Sequence, residues 1–317
     1  LMERNVAVDA AKVIPLVADA DRYVRWAAGR LMERQPPQTW QAAALEAKQP
    51  RAFLEGALAV LRTSRSASSM TLVLLGAADW MKKDLSEVDR LDLLRLVEVA
   101  LHRSGLRRDQ APEIAALLNG GYPAKDPIAN RELIRLLGYL QEPTLAPRAL
   151  QQIQSSAPLE DRLQTALFAV FVADKWQPAE RQALLEFLEF ARFQSGGQDL
   201  ESYIDTVTRE FVTRLAPAAR LEILEYADKA PSAATDALRT LGVPDRSMVE
   251  KLMQLDGKLA PRTREIAVMR FRTGIAALLS ASKQPEALKY LRELFEREPD
   301  RRQILAMGLA VEPEGEN

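Results

Sequence analysis

The chain has 317 residues, 47% of them apolar and 27% charged, so it is long enough to bury a substantial core. Its 43 basic and 44 acidic side chains leave a net charge of −1, which removes any global field that would draw in nucleic acid or an anionic membrane. With no cysteine, the sequence excludes disulfides, iron–sulfur clusters, thiolate metal sites and a haem-attaching C-x-x-C-H motif within these residues, and its longest apolar run, Met70 to Ala78, is too short to span a bilayer.

Apolar positions recur at helical spacing from one end to the other, and the low glycine content with abundant Ala, Leu, Arg and Glu favours helix. The first sharp pattern is Asp21-Arg22-Tyr23-Val24-Arg25-Trp26-Ala27-Ala28 followed by Leu31, which matches the D-x-x-V-R-x-x-A pattern of a HEAT repeat. In that pattern Val24, Ala28 and Leu31 face the neighbouring helix pair, and Asp21 and Arg25, one turn apart, link to adjacent repeats through charge-assisted hydrogen bonds. Thr71 to Leu75 resembles a strand but runs into Gly76-Ala77-Ala78-Asp79-Trp80-Met81, where the spacing turns helical, so the whole stretch reads as one buried helix. Leu91, Leu94, Val97 and Leu101 mark the next helix, which ends near Gly105.

Asn119 to Pro127 is the longest stretch of turn formers and is the candidate internal seam, near 119–128. Beyond it Pro143, Pro158, Pro178, Pro217, Pro231, Pro244, Pro261, Pro285 and Pro299 punctuate the chain at intervals of roughly one helix. Proline suits a first helical turn, where its missing N–H costs nothing. Glu160, Asp161 and Glu180 add first-turn acids that the helix dipole favours, and Ser247-Met248-Val249-Glu250 has capping-box spacing. The stretches 128–155, 158–193, 198–228 and 231–254 have the lengths of diverged helix pairs. The expectation is an all-α chain, an α-solenoid of HEAT-like (armadillo-type) repeats over residues 1–310, with residues 311–317 an acidic tail or linker.

Chemistry is sparse. The single histidine, His102, lies just before Gly105 and reads as a residue that the helix dipole favours at a C-terminus. With one histidine and no cysteine, no Ser–His–Asp or Cys–His set and no metal or haem site is expected, so no catalytic, cofactor-binding or metal-binding residue is assigned. Gly120-Gly121 and Gly196-Gly197 fit no phosphate-loop pattern and read as turns. Asp89, Asp92 and Glu98 alternate with Arg90, Arg95 and Arg103, as on a solvated helix face. Trp26, Trp40, Trp80 and Trp176, with Phe187, Phe190 and Phe193, read as core. The basic segments Arg107-Arg108, Arg262-Thr263-Arg264, Arg270-Phe271-Arg272 and Arg301-Arg302 would grip phosphates if they lined one concave face, as in helical-repeat DNA glycosylases, but interleaved acids argue for surface salt links instead.

Three stretches carry a more specific likeness. Asp21 to Trp40 (D-R-Y-V-R-W-A-A-G-R-L-M-E-R-Q-P-P-Q-T-W), Asn130 to Gln141 (N-R-E-L-I-R-L-L-G-Y-L-Q) and Lys175 to Ile204, with W-Q-P-A-E-R-Q and S-G-G-Q-D-L-E-S-Y-I, resemble the helical-repeat region of large bacterial proteins that join a sugar-dehydrogenase-like propeller, a HEAT solenoid and a c-type cytochrome domain. Gln198 departs from that pattern, standing where many members carry histidine. The resemblance implies a non-catalytic scaffold that spaces or docks exported modules, periplasmic or secreted, with electron transfer at a haem on another segment. Its partners would be proteins or adjacent domains of the same polypeptide, without membrane insertion, and a nucleic-acid-binding helical-repeat protein is the least favoured of the readings. The alternative class is a free-standing cytoplasmic protein that binds a peptide or protein along its concave face. If the exported reading holds, the parent gene encodes an export signal and a C-x-x-C-H segment outside this sequence; a complete reading frame lacking both excludes it.

Overall fold

The computed structural model describes residues 9–310. The tail expected at 311–317 lies outside them. The described residues form 18 α-helices and seven short 3-10 turns, with no strand among them. The chain divides into two compact units after Glu142. The first contains α1 Ala10–Val13, α2 Arg22–Glu33, α3 Gln41–Leu45, α4 Pro50–Thr63, α5 Ala67–Met81, α6 Glu87–Ser104, α7 Pro112–Gly121 and α8 Pro127–Tyr139. The second contains α9 Leu145–Ile153, α10 Leu159–Ala169, α11 Pro178–Ala191, α12 Leu200–Arg214, α13 Pro217–Ile223, α14 Pro231–Leu238, α15 Arg246–Leu259, α16 Ile266–Ser282, α17 Pro285–Arg297 and α18 Arg302–Leu309. The stretch 119–128 joins α7 to α8 inside the first unit.

Helix starts follow the chemistry of the first turn. Proline opens α4, α7, α8, α11, α13, α14 and α17, while Asp21, Asp126 and Asp245 accept backbone N–H bonds at the starts of α2, α8 and α15. Asp245, accepting from Met248 N at 2.8 Å, takes the capping role expected of Ser247, which lies inside the helix. Gly105 ends α6 at φ 67°, a left-handed conformation that glycine adopts without cost, and His102 sits exposed in the turn before it. Gly120 and Gly121 are not a turn but the last turn of α7, where helix ends fray and glycine costs least.

Packing in each unit is mostly between helices that are chain neighbours or two apart along the chain. In the first unit α2, α4, α6 and α8 form one row, α3, α5 and α7 a second, and α5 against α6 and α7 against α8 join the rows. In the second, α12, α14, α16 and α18 form a row, α9 touches α11 and α11 touches α13, and α13–α14, α15–α16 and α17–α18 pack as neighbours. The pairs therefore fall one helix later than 198–228 and 231–254 suggest. Small residues permit the closest approaches: a Cβ on Gly56 of α4 would stand 2.8 Å from the Ala44 Cβ of α3.

Charge links repeat along the first row. Arg25 of α2 reaches Glu55 of α4 at 3.9 Å, Arg51 of α4 donates to Asp92 of α6 at 2.7 Å and to Asp89, and Arg95 of α6 meets Glu132 of α8 at 3.1 Å. Arg135 returns from α8 to Glu98 at 3.1 Å, and Arg103 donates to the carbonyl oxygens of Leu61 and Ser64. The alternating charges of α6 are thus not a merely solvated face but a ladder tying α6 to α4 and α8. Only half of the expected Asp21–Arg25 linkage forms, because Asp21 caps its own helix.

Trp40, Trp80 and Trp176 are buried, with Trp176 edge-on to Phe211 at 6.0 Å, and Thr71 to Leu75 is helical within α5. Trp26 is 58% exposed, against expectation, because the outer face of α2 has no described helix packed on it. No helix among the described residues is long and apolar enough to cross a membrane.

The deepest polar feature lies in the second unit. Arg272 of α16, fully buried, donates through Nε to Asp256 Oδ1 at 3.0 Å and through Nη2 to Asp256 Oδ2 at 2.9 Å and Glu298 Oε1 at 2.8 Å. Arg301 completes the square, meeting Glu298 at 2.9 Å and Asp256 at 3.3 Å, and the Tyr290 hydroxyl donates to Asp256 at 2.9 Å. Replacing Arg272 with Ala leaves the two acids Asp256 and Glu298 sharing Arg301 as their one remaining arginine. It is expected to destabilise the second unit by about 3–5 kcal/mol in denaturant unfolding, whereas replacing Asp256 and Arg272 together with Leu and Met costs much less.

Candidate functional site

The second unit carries an open groove of about 1000 Å³, walled by the end of α11, the start of α14 and the approach to α16. A smaller pocket of about 80 Å³ opens beside it between α12, α14 and α16, and the two share Arg192, Ser232, Ala267 and Arg270. Spacing explains the convergence. Glu201, Asp205 and Arg209 stand one turn apart along α12, Ser232, Asp236 and Arg239 along α14, and Ile266 and Arg270 along α16, so three stacked helices each turn one stripe toward the same space.

The floor is ionic and already paired. Glu189 receives the Ser232 backbone N–H at 3.1 Å and the Ser232 hydroxyl at 3.0 Å, closing the N-terminus of α14 from outside. Arg192 donates to Asp205, and Asp236 accepts from Arg239 at 2.7 Å with Arg209 at 3.8 Å. Burial pushes the Glu189 and Asp236 carboxyls up, outweighing the arginines and hydrogen bonds that pull the other way. Burial also lowers Arg192, which the opposite charges of Glu189, Glu201 and Asp236 only partly offset.

The rim is apolar and open. Phe190 is 50%, Phe193 76% and Ile266 64% exposed, so these phenylalanines, unlike the buried Phe187, are not core. They read as core because Phe187, Phe190 and Phe193 share helical spacing; α11 ends at Ala191, and the chain beyond it turns Phe193 outward.

The basic segments singled out in the sequence do not form one stripe. Arg272 and Arg301 are buried in the square with Asp256 and Glu298, Arg302 stacks on Phe295 and donates to its carbonyl at 3.0 Å, and Arg262 is held by Glu265 and the Asp228 carbonyl. Arg108 pairs with the buried Glu142 at 3.0 Å in the first unit, and Arg107 also lies there. Arg264 and Arg270 alone of that set reach the groove without an ion-pair partner among the described residues. No group of three His, Cys, Asp or Glu side chains among the described residues could hold a metal ion.

No model of a known protein family matches the chain, and no curated protein matches it. The site therefore rests on its geometry.

The raised carboxyls give a pH signature. A native state that holds the proton more tightly than the unfolded chain gains stability below the unfolded pKa and loses it as pH rises through the folded one. Glu189 and Asp236 therefore favour the folded state on mild acidification from neutral pH. Glu189→Gln is expected to flatten the rise in stability between pH 7 and the ordinary carboxylate range, measured by denaturant midpoints across pH; an unchanged profile contradicts it.

Proposed function

We propose that the chain is an α-solenoid of HEAT-like repeats that acts as a non-catalytic scaffold, holding a protein segment from a partner or an adjacent domain in the groove of its second unit. The observation that carries the reading is the exposure of Phe190, Phe193 and Ile266 on a groove whose floor is closed by its own ion pairs. Exposed aromatic side chains grouped beside polar ones mark protein-binding surfaces, because they supply contact area with few rotatable bonds.

The repeat reading draws support from a recurring distance in sequence. Arg51–Asp89, Arg95–Glu132 and Arg135–Glu98 join residues 38, 37 and 37 apart in the first unit. In the second, Arg181–Glu222, Ser232–Glu189 and Arg246–Glu286 join residues 41, 43 and 40 apart. A helix pair with its loops takes up that length in HEAT-type arrays. The resemblance noted above assigns this scaffold to an exported protein, with docking of neighbouring modules as its role. A nucleic-acid grip is poorly supported, since Arg272 and Arg301 are consumed internally.

Affinity capture with the tagged full chain from its native host tests the reading. Replacing Phe190 and Phe193 together with Ser is expected to remove the captured partner while changing stability by only about 0.5 kcal/mol, as usual for exposed sites. A partner set indifferent to the double variant excludes the groove, and a purely cytoplasmic set excludes export.

A further inference from the structure

The small pocket at the polar end of the groove holds more positive than negative charge. Arg192, Arg209, Arg239 and Arg270 face Asp205 and Asp236, with only the hydroxyls of Ser232 and Thr235 as further polar side chains. Both acids are engaged: Asp205 by Arg192, and Asp236 by Arg239 and Arg209. Glu189, a further carboxylate at this end of the groove, accepts both Ser232 bonds and stands 4.0 Å from Arg192 Nε. Arg270 is left exposed with no ion-pair partner among the described residues, and its like charge bears on Arg192. Arg192, whose side chain is 6% exposed, keeps a buried Nε that faces Glu189 at 4.0 Å, an ion pair too long to be a hydrogen bond, and so has no hydrogen-bond acceptor. A buried donor without an acceptor costs free energy, and guanidinium groups bind carboxylate or phosphoryl oxygens through charge-assisted, often paired, bonds. The volume of about 80 Å³ exceeds the roughly 10–15 Å³ that one water requires, so a group of a few heavy atoms fits.

Resting on the groove reading above, we propose that this pocket is an anion subsite in which Arg270, with Arg192 behind it, receives one carboxylate or phosphoryl group carried by the docked protein segment. Ile266 lies one turn before Arg270 on α16 and lines the same groove. The segment therefore pairs an acidic or phosphorylated residue with an apolar one a few positions away.

The probes are inorganic phosphate and acetate, titrated into the full chain at constant ionic strength while the arginine side-chain Nε–H signals are followed by NMR. Saturable shifts confined to Arg192, Arg209, Arg239 and Arg270, absent with chloride, are expected. Tighter phosphate assigns a phosphoryl group and tighter acetate a carboxylate. Arg270→Gln, at an exposed position, is expected to weaken binding about tenfold, and Arg209→Gln to weaken it as well. No saturable shift, or binding unaffected by either substitution, overturns the subsite. A duplex DNA that shifts the same signals at far lower concentration than phosphate overturns the protein-segment source. Partner capture lost in the Phe190/Phe193 variant alongside a negative anion titration leaves the groove and removes only the subsite. The reverse pattern keeps the anion pocket and removes the groove reading.

Discussion

The α-helices of this chain run from 4 to 18 residues, and helices of such length are marginal in water unless one face is buried against a neighbour. Here the neighbour is, for most helices, the next one in the chain, the one two along, or both. α4 illustrates the consequence: Phe53, Ala57, Val60 and Leu61 are buried, while Arg51 and Glu55 on its remaining face reach Asp89, Asp92 and Arg25. Apolar burial supplies the stability, at about 25 cal/mol per Å² removed from water. The part-exposed ion pairs contribute only about 0.2–1 kcal/mol each, and their effect is to fix which turn of one helix faces which turn of the next.

The second unit turns charge inward where the first spreads it along a row. Arg272 and Arg301 share Asp256 and Glu298 in the core between α15, α16 and the approach to α18. Such a square offers little net stability over an apolar core, because removing four charges from water is expensive, but breaking it is costly. It pins the end of the α16 row. Upstream in that row the same helix sends Arg270 to the opposite side, two residues before Arg272 and about 200° around the helix axis. A single turn of α16 thus supplies both a structural lock and the edge of the groove.

Much of the fold was legible in the sequence, for identifiable reasons. Proline in the first turn leaves a local mark: of the nine prolines that punctuate the sequence, Pro178, Pro217, Pro231 and Pro285 open α-helices, while Pro143 and Pro244 lie in loops between them. Periodicity likewise marks a helix and its apolar stripe. It does not reveal whether a neighbour lies against that stripe, and so Trp26 and Phe193 looked the same as Trp40 and Phe187. Charges suffer the same ambiguity. Asp89, Asp92, Arg95 and Glu98 have the spacing of a solvated face, and their partners lie on other helices; the signal that distinguishes them is an opposite charge 37 to 41 residues away. Arg272 was hidden among basic neighbours, since burial of an arginine depends on acids supplied by α15 and by Glu298. The groove left almost no sequence mark beyond the one-turn stripes of α12, α14 and α16, because it is made by three helices that only packing brings together.

A row of stacked helices offers its neighbours' acids to each exposed arginine at nearly constant distance. In the first unit Arg51, Arg95 and Arg135 all find such acids. In the second, Arg209 and Arg239 converge on the same acid, Asp236, and the next helix in the row brings Arg270 to that place without bringing a carboxylate of its own. The stacking rule supplies the cation and the sequence withholds its counter-charge. Salt from solution screens the exposed Arg270, whereas the buried Arg192 beside it is screened less. Of the two unmatched arginines of the groove, Arg264 and Arg270, only Arg270 also lines the small pocket, and its position there, next to a groove lined by Phe190, Phe193 and Ile266, is the selective feature of this surface.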